Sequence, residues 1–245
     1  MTRKRLSSSD RRDSIIEAAT GVFARSGFSG AKTLDIARAA NVSEALVFRH
    51  FPNKVAIYRA VLRTIIRSQD ETLKVLSGTT PDAGGIIDLL RRTFLHSLLG
   101  KDAHNAQGTR IYFSSLGGDG TYASLAYRRS MRLWLDPLAV AMEEARKAGD
   151  ITGQPMPPHN AFIFIEHVSS IMLVSRTHEP GIIPYEGDDE QLLENAVRFC
   201  ARGLGMTDAA IERHRDLMRT AAPDKAIDAP ATPKAPARKT RSKAA

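Results

Sequence analysis

Residues 27–54 read GFSGAKTLDIARAANVSEALVFRHFPNK. Two short segments with apolar residues at helical spacing, one around Ile36-Ala37 and one around Leu46-Val47, are separated by Asn41-Val42-Ser43 and closed by Pro52. That is the outline of a helix-turn-helix, and it predicts a DNA-reading element at the front of the chain. Asn41 falls where the turn needs a left-handed backbone, and asparagine is the non-glycine residue that tolerates it best. Ser43 is placed to cap the second of the two helices, with Glu44 favourably in its first turn. Pro52 stops that helix, and Asn53 is placed to cap the next.

Working outward, a first helix is expected over Arg11–Ser26. Ile15, Ala19, Val22 and Phe23 share one of its faces, Gly27 supplies its stop, and Phe28 folds back on it. The helices of the turn motif are expected over Thr33–Ala40 and from Ser43 to Pro52, followed by a long helix over Lys54–Leu76. Past Gly78-Thr79-Thr80-Pro81 the helices lengthen, with spans expected at 82–100, 104–116, 121–149, 158–178, 188–204 and 207–221. Glycine and proline clusters set the breaks between them. The fold class is therefore all-α, a small helix-turn-helix head on a larger helical body. Four parts are expected: a basic arm at 1–10, the head at 11–57, a regulatory and dimerisation body at 58–221, and a disordered Ala/Pro/Lys-rich tail at 222–245.

Charge is informative because of where it sits. The formal net charge is +8 over 245 residues. Residues 1–12 carry Arg3, Lys4, Arg5, Arg11 and Arg12 against Asp10. Residues 221–245 carry Lys225, Lys234, Arg238, Lys239, Arg241 and Lys243 against Asp224 and Asp228. The stretch between has equal numbers of bases and acids, so two basic arms flank a neutral body. Such arms suit a polyanion, although terminal charge also serves plain solubility. The sole cysteine, Cys200, rules out an internal disulfide framework and fits a reducing compartment. No apolar run reaches the ~20 residues of a membrane span, and the basic N-terminus lacks the apolar region of a secretory signal. A cytoplasmic protein is expected, with no membrane partner.

By Lys54 the pattern resembles the tetracycline-repressor (TetR) family of bacterial transcription regulators. The resemblance is specific over about residues 11–62; beyond that only size and helical character match. It implies that Lys32 and Thr33, at the start of the second helix, meet phosphate. Ser43, Glu44 and Ala45 would open the recognition helix in the major groove, with Phe48, Arg49 and His50 at its far end. Lys54 would touch backbone phosphate from the fourth helix. The chain departs from the commonest family pattern with Lys32 for Thr or Ser, Asn41 for Gly, Ala45 for Gly and Phe48 for Tyr. A phenyl ring cannot donate to phosphate, so Phe48 is left to pack on sugar or a thymine methyl, and Lys32 stands ready to supply the lost contact. Both lysines sit at helix starts, against the local dipole, which an external anion would compensate.

The resemblance further implies a bacterial, nucleoid-associated protein, a small-molecule effector and a homodimer. Tyr112, Phe113, Tyr127, Met131 and Trp134 mix aromatic and sulfur side chains beside arginines and are the candidate pocket wall. Their helical spacing fits plain core at least as well. The helix at 158–178 is apolar on nearly every face, so Phe162, Ile165 and Ile171, with Leu193 and Val197 of the next helix, are candidates for a subunit interface. Burial within one subunit would also satisfy them. No cofactor or metal is expected. His159 and His167 lack further ligands at metal spacing, Glu166-His167 lacks the second histidine of a metalloprotease helix, and Gly117-Gly118-Asp119-Gly120 lacks the strand of a phosphate loop. An enzyme is not expected. The reading is a ligand-responsive DNA-binding regulator, a repressor released from a palindromic operator by its effector. The alternative is an architectural protein that coats double-stranded DNA through its basic arms.

Overall fold

The computed structural model describes residues 7–75, 80–99, 103–176 and 183–219. The basic arm up to residue 6 and the tail expected over 222–245 lie outside the described residues. Everything regular among those described is helical: α1 Ser8–Gly30, α2 Thr33–Ala39, α3 Glu44–His50, α4 Lys54–Val75, α5 Ala83–Leu99, α6 Ala103–Leu116, α7 Thr121–Lys147, α8 Pro158–Ser175, α9 Asp189–Gly203, α10 Asp208–Arg213 and α11 Arg215–Met218. One isolated antiparallel bridge joins Ile151 to Met206.

Local chemistry sets most boundaries. Ser7 and Asp10 form a reciprocal capping box that starts α1, and Asp188 with Gln191 does the same for α9. Pro158 stands in the first turn of α8, where its missing N–H costs nothing. α7 runs through Pro137, which the expected span also crossed. Gly27 interrupts α1 as expected, with a φ of 63° and ψ of 179° in a region essentially reserved for glycine, and a further turn carries the element on to Gly30. One expectation needs correction. The helix expected over 207–221 is two short helices, broken at His214, whose φ of −106° and ψ of 19° are not helical.

The buried side chains form two clusters. One holds Ile15, Ala19, Phe23, Ile36, Val47 and Phe51 of α1 to α3, continues along α4 through Ile57 and Val61 to Ile65, and also takes in Ile111 of α6 and Tyr122 of α7. The other packs α5 against α7, α8 and α9, with Ile86, Leu90, Phe94, Leu138, Ala161, Val197 and Ala201 at its centre. The head's core is thus completed by residues of the body, among them Tyr122, which is fully buried there. Ser115 organises that corner. Its hydroxyl accepts from the backbone N–H groups of Tyr122 (3.0 Å) and Ala123 (3.2 Å), so α7 is capped from the preceding helix.

The interruption in α1 brings Gly27 against α6. A Cβ added there would lie 2.7 Å from the Ser114 Oγ. Gly27→Ala should therefore lower stability by about 1–3 kcal/mol, from backbone strain together with that contact. A thermal melt reads this directly, and an unchanged midpoint would contradict the strained turn.

Candidate nucleic-acid interface

The turn between α2 and α3 is built as its residues suggest. Asn41 has a φ of 52°. The Val42 N–H donates to the Ala37 carbonyl at 3.0 Å and the Asn41 N–H to the Arg38 carbonyl at 3.0 Å, which closes α2 in a Schellman-type ending. Ser43 then caps α3, its Oγ accepting from the Leu46 N–H at 3.2 Å. Val47 is buried in the head, while Ala45, Phe48 and Arg49 face outward on the same short helix. Phe48 is 45% exposed, and Leu34, on α2 of the same motif, is exposed too.

Thr33 and Glu44 are brought together. The Thr33 hydroxyl donates to Glu44 Oε1 at 2.5 Å, tying the start of α2 to the start of α3. A hydroxyl has one proton to give, so in this geometry Thr33 has no side-chain donor left for a phosphate. Lys32, at the N-cap of α2, makes no capping bond and is exposed.

Lys54 does not sit as its place in the sequence suggested. Its Nζ donates to the carbonyls of Phe28 (2.9 Å), Ala31 (3.0 Å) and Ser29 (3.4 Å), and lies 4.7 Å from the centre of the Phe28 ring. The compensating negative charge that its position at a helix start seemed to require is internal: the carbonyl end of α1 supplies it. Asn53 caps α4 independently, its Oδ1 accepting from the Ala56 N–H at 2.9 Å. Arg12 is likewise held to the head, 4.8 Å above the Phe51 ring.

In the body, Tyr112 and Tyr127 do meet, with ring centres 5.9 Å apart, and Phe113 packs edge-on against Tyr112 at 5.4 Å. Residues that the sequence reading had not selected complete the group. The Tyr127 hydroxyl donates to Glu166 Oε2 at 3.0 Å, the Ser170 hydroxyl to Glu166 Oε1 at 2.8 Å, and His167 meets Tyr127 edge-on. Burial, with the Glu166 charge adding and Tyr112 opposing, pushes the Tyr127 phenol up to about 12. The buried Tyr112 hydroxyl makes no hydrogen bond of good geometry, and burial holds it far above the ordinary phenol range. An open depression of about 470 Å³ lies alongside, lined by Leu116, Gly120, Ala123, Ser124, Tyr127 and Arg128. Met131 is half-buried. Trp134 is not part of this group: it is buried in the body's core. α8 runs too far from α7 in sequence for spacing alone to have found Glu166.

The candidate interface residues of α8 and α9 also need correction. Ile165, Leu193 and Val197 are buried against their own subunit's core, and Phe162 packs on it. In α8 the core stripe is Ala161, Ile165, Val168 and Met172, so the outward stripe carries Phe164 and Ile171, at 56% and 47% exposure. On α9 Phe199 is 68% exposed. Behind it Cys200 is buried, and burial pushes its thiol up to about 11.

The described residues form a helix-turn-helix head joined to a helical body. Residues 15–61 match the family described as "Bacterial regulatory proteins, tetR family". A curated relative, the "HTH-type transcriptional activator FasR" of Mycolicibacterium smegmatis, is 28% identical over 111 residues. The match spans 45% of this chain and about half, 49%, of that protein. Among solved structures the fold is similar to AibR in complex with isovaleryl coenzyme A and operator DNA (TM-score 0.58, 17% identity, 80% of this chain and 100% of that one). It is also similar to the ketosteroid transcriptional regulator KstR2 of Mycobacterium tuberculosis (TM-score 0.55, 19% identity, 84% and 100%). A tetR-family protein from Rhodococcus RHA1 has a TM-score of 0.58 at 20% identity, over 84% and 100%. Among the described residues no helix is long and apolar enough to cross a membrane.

The left-handed turn residue gives a direct check on the head. Asn41→Val should cost about 1–2 kcal/mol, because a β-branched residue resists that backbone, while Asn41→Gly should be neutral or stabilising. Denaturant midpoints of the two variants measure this, and equal midpoints would show that the turn relaxes without strain.

Proposed function

We propose that this chain is a ligand-responsive transcriptional regulator of bacterial genes, a repressor that binds a palindromic operator as a homodimer and leaves it when a small-molecule effector binds. In this reading residues 11–57 form the DNA-reading unit and 58–221 the regulatory and dimerisation part. The protein works in the cytoplasm, on the nucleoid, without enzymatic chemistry. The observation that carries the reading is the outward set on α3. Ala45, Phe48 and Arg49 are exposed on a short capped helix whose opposite side, at Val47, is buried.

A helix so presented reads base edges in the major groove, and each residue type has a fitting partner. Arg49 suits a guanine edge, Glu44 can accept from a cytosine amino group, and Phe48 suits a thymine methyl. His50 lies at the same end of the helix, and Ser43 sets its entry. Lys32 supplies phosphate attraction from the start of α2, where Thr33 holds α3 in register through Glu44. Operator half-sites would lie about 34–36 Å apart if both recognition helices enter successive major grooves. The exposed Phe164, Ile171 and Phe199 support pairing through α8 and α9, since an apolar face of this kind is commonly covered.

For the effector, the group of Tyr112, Phe113, Tyr127 and Glu166 beside α6 and α7 supports a site for an amphipathic molecule with a polar end. AibR, similar in fold, is described with isovaleryl coenzyme A and KstR2 as a ketosteroid regulator, so acyl thioesters and sterols are the first classes to try. An effector need bind the DNA-free form only modestly better, since a coupling of about 1–3 kcal/mol changes affinity some 5–150-fold.

Selection of bound duplexes from a random pool at ~150 mM salt, which suppresses phosphate-only binding, tests the central claim. A single enriched palindrome is expected. Enrichment of nothing would favour the architectural alternative, in which the basic arms bind any duplex. On the enriched site, Arg49→Ala should cost about 1–3 kcal/mol and relax the preference at one position. Placing the site over a promoter should lower a reporter's output; a rise would assign activation, the role in the name of the Mycolicibacterium relative. For the dimer, Phe199→Glu should shift the mass measured in solution from two chains to one. A wild-type monomer at micromolar concentration would overturn that part of the reading.

A further inference from the structure

Lys54 is the residue whose sequence position and structural position disagree most. At the start of α4, a cation faces the positive end of its own helix. The structure resolves this by pointing the ammonium at the junction between α1 and α2. Three donors are available on an ammonium, and three carbonyls converge on it, those of Phe28, Ser29 and Ala31. The ring of Phe28 covers another side. That ring is itself held by Tyr58 at 4.9 Å, and Tyr58 by Phe23 at 4.9 Å.

The segment held in this way is placed between three parts of the molecule. On one side, Gly27 immediately before it lies against Ser114 of α6. On the other, Ala31 leads through Lys32 into α2, and the bond from Thr33 to Glu44 passes the placement of α2 on to α3. α4, through Lys54, fixes the middle. The carbonyls of Phe28, Ser29 and Ala31 would otherwise lose the partner that this single side chain gives them.

We propose that Lys54 is a positioning residue of the DNA-reading head. It fixes the Phe28–Ala31 turn, and through it the starts of α2 and α3, and it does not neutralise a phosphate. The consequence for DNA rests on the head reading DNA at all; the clamp itself does not. Lys32 is then the lysine of the motif that is free to attract phosphate.

Two substitutions separate the roles. Lys54→Met removes the charge and keeps the stem. Lys54→Arg keeps the charge, but its planar fork does not converge on one point as the ammonium does. Thermal melts without DNA, and affinity for the selected operator as a function of salt, are measured for both and for Lys32→Met as the phosphate control. For a clamp, both Lys54 variants should melt roughly 4–10 °C lower. Both should also bind operator about tenfold more weakly, with the salt slope of the wild type. Lys32→Met should melt as the wild type does and flatten the slope by about 0.9 per subunit.

The proposal fails if Lys54→Met flattens the slope as Lys32→Met does, or if Lys54→Arg retains wild-type melting and affinity. Should Lys54→Met not fold, Lys54→Arg alone decides by the same criteria. If the wild type selects no operator, the melting arm still reads the clamp. A failed DNA reading and a failed clamp thus give different results.

Discussion

The head does not own a complete core. Its cluster closes over Ile111 and Tyr122, which belong to α6 and α7, and Tyr122 is among the largest fully buried side chains of the molecule. A three-helix unit of this size buries little apolar area by itself, and small units are marginal for that reason. Borrowing side chains from the body stabilises the head and, by the same contact, ties its geometry to the body's. Any shift of α6 along α1 has to be accommodated at the interrupted end of α1, where Gly27 leaves no room for a Cβ. Domain coupling here follows from core completion, with no separate linkage required.

Polar groups reinforce the same corner. Ser115 caps α7 from α6 and also donates to Asp119 at 3.3 Å. The Asp119 carboxyl is held below its usual range chiefly by the backbone N–H of Thr121. Its charge adds to the burial that pushes the Tyr58 phenol up to about 12. Tyr58 in turn packs edge-on against Phe23 and at a tilt against Phe28, the ring that covers the Lys54 clamp. The corner between α6 and α7 and the turn between α1 and α2 therefore share neighbours, although they are about 90 residues apart in the sequence.

What the sequence revealed, and what it hid, divides along the range of the interactions. Asn41, Ser43, Pro52 and Asn53 act on residues within four positions, so their roles were legible from the chain alone. The apolar stripe of the head was legible for the same reason. The internal partners of Lys54 were hidden because they lie 23 to 26 residues earlier, and only folding brings a helix's carbonyl end to that ammonium. The pairing of Thr33 with Glu44 was hidden likewise. On α8, near-uniform apolarity erased the periodicity that would have separated Ile165, which faces inward, from Phe164, which faces out. The break at His214 had no glycine or proline to announce it. α11 there buries Met218 within the body's cluster, a contact the local sequence does not encode.

The chain contains a single tryptophan, Trp134, and it sits in the core of the body. No indole belongs to the head. Its ultraviolet emission is consequently a built-in optical probe of one half of the protein. The light it gives off reports on the packing around α5, α7 and α8, and a duplex laid against α3 can alter that light only by way of the body. The molecule carries its own dye, placed so that events on the two sides are seen separately.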